Sequence, residues 1–286
     1  LLTLFRRNAI EEVAFSISRT HSPALWTLVD SLSQEMEVAP PDQIIAGINA
    51  DFFVTEIPIN CVNALFKGRT MQLSLPLCRI LTIDQLSAII AHELAHFKGN
   101  DTSLSRNFYP AYRSATATLT GLYKSLHSGI RYLLFMPAIR MIEYFFKAFT
   151  KIERSVSRDR ELIADAVAAQ LSGNQTVAIT LTKLHAFSKA WENTIQSVRY
   201  YAGENKPLTN NSEWFVSSVK YHTKTNLLIV LDSQQLPHPI DTHPPLSARL
   251  HALGISMETV AIEAQNAICD QPAVQLIHEY EVIEKQ

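Results

Sequence analysis

Two histidines and a glutamate in this sequence have a spacing that suits metal chemistry. The pattern HExxH runs from His92 to His96. On a helix, residues four apart lie on one face, about 6 Å apart along the axis, so both imidazoles can reach one Zn²⁺ at about 2.0–2.1 Å. Glu93 adjoins the first histidine, where a carboxylate can take a proton from a catalytic water without binding the metal. The spacing therefore predicts a hydrolytic zinc centre.

The same pattern has a simpler interpretation, because short motifs recur by chance and such residues can form a solvated helix face. The flanking residues favour the metal. His92, Glu93 and His96 stand within an otherwise apolar stretch, Ile89–Phe97. Burying them without partners would cost free energy, and a bound cation removes that cost.

A catalytic zinc needs a third protein ligand, and Glu161 is the candidate. Asp165 lies four residues further along a second predicted helix, so both carboxylates can face the first helix. Asp165 would then hold the outer N–H of a ligand histidine. The alternative is a solvent-facing charged helix on which Arg158 and Arg160 form the ion pairs.

The elements that would position these residues follow from periodicity. Thr82 and Gln85 form a capping-box pattern, and the apolar spacing that follows predicts a helix over Ile83–Lys98. The second predicted helix runs from about Ser155 to Leu171, and Leu1–Gln34 is expected to be largely helical.

One segment has the period of a half-buried strand. Arg69–Leu77 alternates apolar and polar residues, and its Pro76 suits an edge strand or a strand end. An exposed edge would offer unpaired backbone groups to an extended peptide.

Three ordered motifs resemble peptidase family M48, which contains the HtpX-like membrane proteases and the CAAX prenyl endopeptidases. They are HELAHFKGND at His92–Asp101, SRDRELIAD at Ser157–Asp165 and THPPLSARL at Thr242–Leu250. The resemblance covers roughly Asn63–Leu250. It implies a gluzincin with one Zn²⁺ per chain, whose third ligand is a glutamate on a following helix. The implied ligands are His92, His96 and Glu161, with Glu93 as the base and Asp165 behind a ligand histidine.

The resemblance also implies residues that handle the substrate. Asn63–Gly68 is similar to the family's NAxxxG segment, which would place Asn63 near the substrate backbone. Capping of a turn is the alternative for Asn63. His243 and Arg249 match positions that face the cleft, where either would stabilise an oxyanion. Alternatively, the proline-rich loop only turns the chain and Arg249 pairs with an acid on its own helix.

The other histidines have no ligand spacing and are expected to be structural. They are His21, His127, His185, His222, His238, His251 and His278.

The composition of the chain limits the classes of protein to which it can belong. A formal charge of −2 excludes a generic nucleic-acid binder, and 47% hydrophobic residues supply a large core. We expect residues 1–286 to form a single metallopeptidase domain. Its fold class is α+β and predominantly helical, with a small sheet whose edge strand flanks the active-site helix. Three cysteines without a CxxC pattern indicate either a reducing (cytoplasmic) compartment, which we expect for the peptidase domain, or a protein that is indifferent to redox conditions.

Residues 103–150 form an apolar insertion between the two predicted ligand helices. Arg140, Glu143 and Lys147 argue against a membrane span. The segment would then be an amphipathic element at a membrane interface, a lid over the cleft or part of the hydrophobic core. HtpX-like members carry membrane spans, and this sequence begins without Met. We therefore expect membrane association through segments that precede Leu1.

The function predicted from these residues is a zinc-dependent endopeptidase that acts on extended protein or peptide substrates. Two alternatives stay open. One is a non-catalytic peptide- or membrane-binding module with a structural zinc, and the other is a membrane-surface adaptor built on Tyr132–Phe149.

Overall fold

The computed structural model describes residues 9–62, 64–98, 120–121, 130–204, 210–223, 227, 231, 244–266 and 269–284. Most of these residues are helical, and two small sheets lie in the N-terminal part. The fold class predicted from the sequence, α+β with a predominance of helix, is confirmed. The helices are α1 Pro23–Glu35, α2 Leu75–Cys78, α3 Ile83–Lys98, α4 Ile130–Ser172, α5 Asn174–Gly203, α6 Asn211–His222, α7 Leu246–Ala252, α8 Met257–Gln265 and α9 Tyr280–Ile283, with a 3₁₀ helix at Ala273–Leu276. The strands are β1 Ile10–Glu11, β2 Ala14–Ile17, β3 Gln43–Gly47, β4 Phe53–Thr55, β5 Ile59–Asn60, β6 Leu65–Phe66 and β7 Thr70–Ser74.

The larger sheet has the strand order β2-β3-β7-β4. β7 pairs in parallel with β3, where Gln72 lies opposite Ile45, and antiparallel with β4, where Gln72 lies opposite Phe53. The prediction that Arg69–Leu77 forms an edge strand is therefore wrong, because the strand in this segment is paired on both sides. Among the described strands, β4 is the edge that contacts α3.

Two further sequence predictions differ from the structure. The described residues 9–34 of the segment Leu1–Gln34 are not largely helical, because β1 and β2 occupy Ile10–Ile17 before α1 begins at Pro23. β2 forms by pairing with β3, more than twenty-five residues away, and such pairing overrides local helix preference. The strand in Arg69–Leu77 also ends early, because Ser74 accepts a hydrogen bond from the Leu77 amide and starts α2.

The core lies between the larger sheet and the helices. Ile44 and Ala46 of β3 and Met71 and Leu73 of β7 form the helix-facing side of the sheet, and all are buried. α3 contacts β4 of this sheet and packs against α1, α4 and α5. Apolar side chains fix it there, because Leu86, Ile90, Ala91 and Leu94 are fully buried.

The predicted capping box begins α3. The Thr82 amide donates to Gln85 Oε1 at 3.1 Å, and the Gln85 amide donates to Thr82 Oγ1 at 3.2 Å. Buried Lys183 of α5 donates to the same Gln85 oxygen at 3.0 Å and to the Ile80 carbonyl at 3.2 Å. The cap therefore joins the start of α3 to α5.

α4 is one continuous helix of 43 residues. The predicted helix from Ser155 to Leu171 forms only its C-terminal part, so the second half of the segment 103–150 belongs to the helix that carries Glu161. Residues 103–119 and 122–129 lie outside the described residues, and a lid function stays a prediction. In the described part of the chain, no helix combines the length and apolarity that crossing a membrane requires.

Replacing the cap of α3 tests how this helix is fixed. We expect Thr82→Ala to lower the free energy of unfolding by about 1 kcal/mol, because the Gln85 amide loses its acceptor. Thr82→Ser should stay within a few tenths of the parent value, since serine keeps the hydroxyl. Urea denaturation of the three proteins measures the difference, and an equal loss in both variants would contradict the capping role.

Candidate metal centre and cleft

Three side chains from two helices converge at the crossing of α3 and α4. His92 Nε2 and His96 Nε2, one turn apart on α3, are 3.3 Å from each other. Glu161 of α4 places Oε2 at 3.5 Å from His92 Nε2 and Oε1 at 3.5 Å from His96 Nε2. The structure thus brings together the three residues that the sequence marks as metal ligands.

The spacing of these donor atoms fits a small divalent cation. Two ligands that each lie about 2.0–2.1 Å from a tetrahedral zinc are about 3.3–3.4 Å apart. The distance between the two Nε2 atoms, and the distance from each of them to one of the two Glu161 oxygens, are close to this value. Glu161 is also buried, with 5% of its surface exposed, so a cation there would relieve the cost of its burial.

Close approach of the two helices depends on small residues. Ala91 precedes His92 on α3, and Ala164 and Ala168 flank Asp165 on α4; all three alanines are buried. Small side chains let helix axes approach, and the longer ligand side chains then meet between them.

Asp165 and Arg249 form a buried ion pair on the side of His92 that faces away from the cluster. Asp165 Oδ1 is 3.0 Å from His92 Nδ1, the ring nitrogen that faces away from the cluster, while Nε2 is directed at the cluster. Arg249 of α7 donates from Nε to Asp165 Oδ2 at 2.7 Å and from Nη2 to Asp165 Oδ1 at 2.6 Å. The same Nη2 lies 3.7 Å from Glu161 Oε2. Arg249 thus pairs with an acid on another helix, not with one on its own.

The charges around His92 favour a cation. Burial lowers the pKa of the His92 imidazole, but hydrogen bonds to Asp165 and Glu161 raise it, and the net result is a pKa of about 9. Burial raises the pKa of Asp165, and the hydrogen bonds from Arg249 and His92 outweigh it, so this carboxyl stays below its usual range. The cluster therefore stabilises positive charge at the point where the three donor atoms meet.

A cavity of about 330 Å³ opens beside this cluster, and we call it the cleft. Its polar end contains His92, Glu93, Glu161, Asp165 and Arg249. Glu93 adjoins His92 in sequence and lines the cleft, but it is not one of the three clustered donors. Its carboxylate is thus placed to exchange protons with a molecule in the cleft.

Two predicted substrate residues, Asn63 and His243, lie outside the described residues. The residues after Asn63 begin β6 in the smaller sheet, of order β1-β5-β6, and are not among the residues that line the cleft. The segment that does line it is Ala50–Phe52, just before β4. Sequence reasoning missed this segment, although the pair Asn49-Ala50 repeats the pair Asn63-Ala64 and is separated from β4 by only Asp51 and Phe52.

A network of polar side chains holds the segment Ala50–Phe52 against the sheet. Fully buried Gln72 of β7 donates to Asp51 Oδ1 at 2.9 Å, and Asn49 donates to Glu12 Oε2 at 2.8 Å. Burial raises the pKa values of both Asp51 and Glu12, and the Asp51 charge raises that of Glu12 further. Gly47 leaves space for this network, since a Cβ there would lie 3.3 Å from Gln72 Nε2.

His185 is a second residue that sequence reasoning did not connect with the site. It was expected to be structural, yet it lines the cleft from α5. The available signal was its position on one helical face with Val177 and Leu181, at spacings of eight and four residues.

The fold and this cluster define a mainly helical α+β protein with a His–His–Glu site suited to a metal ion. The family model described as peptidase family M48 matches residues 48–255, and the chain belongs to this family of proteases. The resemblance drawn from the three motifs is thereby confirmed.

Two relatives agree with this membership. The chain is similar to the Protease HtpX homolog of Pyrococcus furiosus, with 27% identity over 85% of this chain and 76% of the relative. It is equally similar to the Protease HtpX homolog of Trichormus variabilis, with 27% identity over 83% of this chain and 75% of the relative. The crystal structure of S. mikatae Ste24p aligns with a TM-score of 0.41 and 16% identity, over 79% of this chain and 49% of that chain.

Metal affinity should depend on both carboxylates of α4. We expect Glu161→Gln to lose bound zinc, because a neutral amide is a poor ligand. Asp165→Asn should lower zinc affinity about 10–100-fold through the orientation of His92. Competition with a chelator, followed by measurement of zinc content, gives both values.

The matched control is Asp159→Asn, on the same helix but exposed to solvent. It should bind zinc as the parent protein does. Parent-like affinity in Glu161→Gln would contradict the proposed ligand set.

Proposed function

We propose that this protein is a zinc-dependent endopeptidase that hydrolyses peptide bonds of protein substrates. The observation that carries the proposal is the donor triangle of His92, His96 and Glu161, with Glu93 in the same cleft. Membership of a protease family agrees with this chemistry.

The residues of the chain supply binding and proton transfer. When bound, zinc supplies Lewis acidity, which polarises a carbonyl and makes water a better nucleophile at neutral pH. Glu93 accepts the proton of the attacking water and then delivers it to the amine of the departing peptide. Asp165 holds His92 in the tautomer that presents Nε2 to the cluster.

For Arg249 the contacts favour a positioning role. Its Nε and Nη2 both bind Asp165, which in turn holds His92, so Arg249 acts on the site through another side chain. Stabilisation of an oxyanion by His243 or Arg249 stays a prediction.

We propose that the substrate binds as an extended strand along β4. This strand is the sheet edge that contacts α3, and Ala50–Phe52, directly before it, lines the cleft. Backbone pairing at a sheet edge binds any sequence in extended form, which suits an endopeptidase.

The alternative of a non-catalytic binding module with a structural zinc is less well supported. Structural zinc sites have four protein ligands, whereas only three candidate donors converge here among the described residues. Such a site would also have no use for Glu93 in the cleft.

Replacing the base separates catalysis from metal binding. We expect Glu93→Gln to lower kcat/KM for peptide hydrolysis by at least about 10²–10⁴-fold, since the amide cannot accept a proton. Zinc content should match the parent protein, because Glu93 is not one of the clustered donors.

The control for this variant is Glu35→Gln, at an exposed carboxylate of α1. It should leave kcat/KM unchanged. Full hydrolysis by zinc-loaded Glu93→Gln would overturn the assignment of the base, and hydrolysis resistant to phenanthroline in the parent protein would overturn zinc dependence.

We also propose that the protein associates with a membrane surface through α4. Met141, Tyr144 and Phe145 lie one turn apart on this helix and are largely exposed, Phe145 at 64%. An exposed apolar face of this kind is typical of interfacial helices. Location of the domain in a reducing compartment stays a prediction, with which three free cysteines are compatible.

A double substitution tests this face. We expect Tyr144→Ser with Phe145→Ser to lower co-sedimentation with phosphatidylcholine/phosphatidylglycerol vesicles about tenfold or more, because each buried aromatic side chain contributes about 1.5–3 kcal/mol. Tyr221→Ser with Ile262→Ser, at exposed positions on α6 and α8, is the matched control. Equal vesicle binding by both double variants would contradict a role for α4.

A further inference from the structure

One wall of the cleft is a single face of α5. Val177, Thr180, Leu181, Leu184 and His185 follow one another at the spacing of one helical face, and all five line the cleft. α5 packs against α3, so this face stands beside the helix of His92 and Glu93. The rest of the wall is mainly apolar and includes Leu77, Ala88, Ile89, Leu231, Leu246 and Met257.

The polar groups within this wall are largely engaged elsewhere. Thr180 Oγ1 donates to the Thr176 carbonyl at 2.7 Å, inside its own helix. Asp51 accepts a hydrogen bond from Gln72. Lys183, next to the α5 face, donates to Ile80 and Gln85 at the start of α3. The cleft therefore has charged groups at the metal end and a mainly apolar surface away from it.

The size of the cleft limits what it can hold. Its volume of about 330 Å³ lies at the lower end of the range of about 300–1,000 Å³ that is typical of ligand pockets. This is enough for a reacting peptide group at the metal end and one large side chain beside it. It is too small for a folded segment.

We propose, on the basis of the proposed peptidase function, that this pocket binds a large apolar side chain of the residue next to the scissile bond. Leu181 and Leu184 are the specificity-determining residues. Leucine, isoleucine, methionine and phenylalanine have the chemistry that the wall recognises, and an acidic side chain does not. A peptide residue bound here lies in the same cleft as Glu93, so its recognition is coupled to the position of the peptide bond that is cut.

The test uses the full chain loaded with zinc and a set of peptides that differ only in the two residues flanking the cut bond. At one of these two positions, leucine or phenylalanine should exceed alanine in kcat/KM by about ten- to two-hundredfold, and aspartate should be the poorest. The other position should discriminate less.

Two substitutions on α5 should shift the preference in opposite directions. Leu184→Ala enlarges the pocket and should raise the ratio of kcat/KM for phenylalanine over leucine. Leu181→Phe narrows it and should lower that ratio. Loss of stability alone would not move the ratio in opposite directions, and Leu184→Val and Leu181→Met are milder variants if either protein fails to fold.

Ile179→Ala is the matched control, because Ile179 is half-buried on the same helix but does not line the cleft. Its preference should equal that of the parent protein. Cleavage without preference for apolar flanking residues would overturn the pocket assignment while the peptidase function stands. So would a phenylalanine-to-leucine ratio of kcat/KM that neither substitution changes. Absence of any cleavage by the zinc-loaded protein would instead overturn the proposed function, and this inference with it.

Discussion

The arrangement of this protein depends on one electrostatic constraint, which is the meeting of two imidazoles and a buried carboxylate within about 3.5 Å of one another. Such a group is costly to bury unless a positive charge lies among its atoms. The apolar packing of α3 holds His92 and His96 in place, and the alanines beside Asp165 let α4 bring Glu161 to them. Packing energy from the core thus offsets the cost of burying these polar side chains.

The remaining polar groups around the site extend this arrangement outward. Asp165 binds His92, and Arg249 binds Asp165, so α7 contributes to the orientation of a residue on α3. On the other side, Gln72 holds Asp51 and with it the segment before β4. The metal end of the cleft and the proposed substrate strand are therefore fixed by separate networks. A substitution in one network can change metal binding without disturbing the other.

The sequence predicts those features that are local. The capping box at Thr82, the helix over Ile83–Lys98 and the two carboxylates four residues apart all follow from patterns within a few turns, and the structure contains them. Features that depend on distant pairing were missed. β7 has an alternating pattern that fits an edge strand equally well, and only its pairing with β4 shows that it is internal. The role of Ala50–Phe52 likewise depends on which strand ends beside α3.

The length of α4 has a mechanical consequence. A helix of 43 residues is about 65 Å long, and Phe145 lies about 24 Å along the axis from Glu161. Pro137 interrupts the first turns of α4, but the stretch from Phe145 to Glu161 contains no proline and resists bending, so it tilts as one unit about its packing against α3. A tilt of a few degrees imposed on the outer half becomes a displacement of tenths of an ångström at the carboxylate. Any contact that tilts the N-terminal half of α4 therefore also changes the position of Glu161 relative to the two histidines.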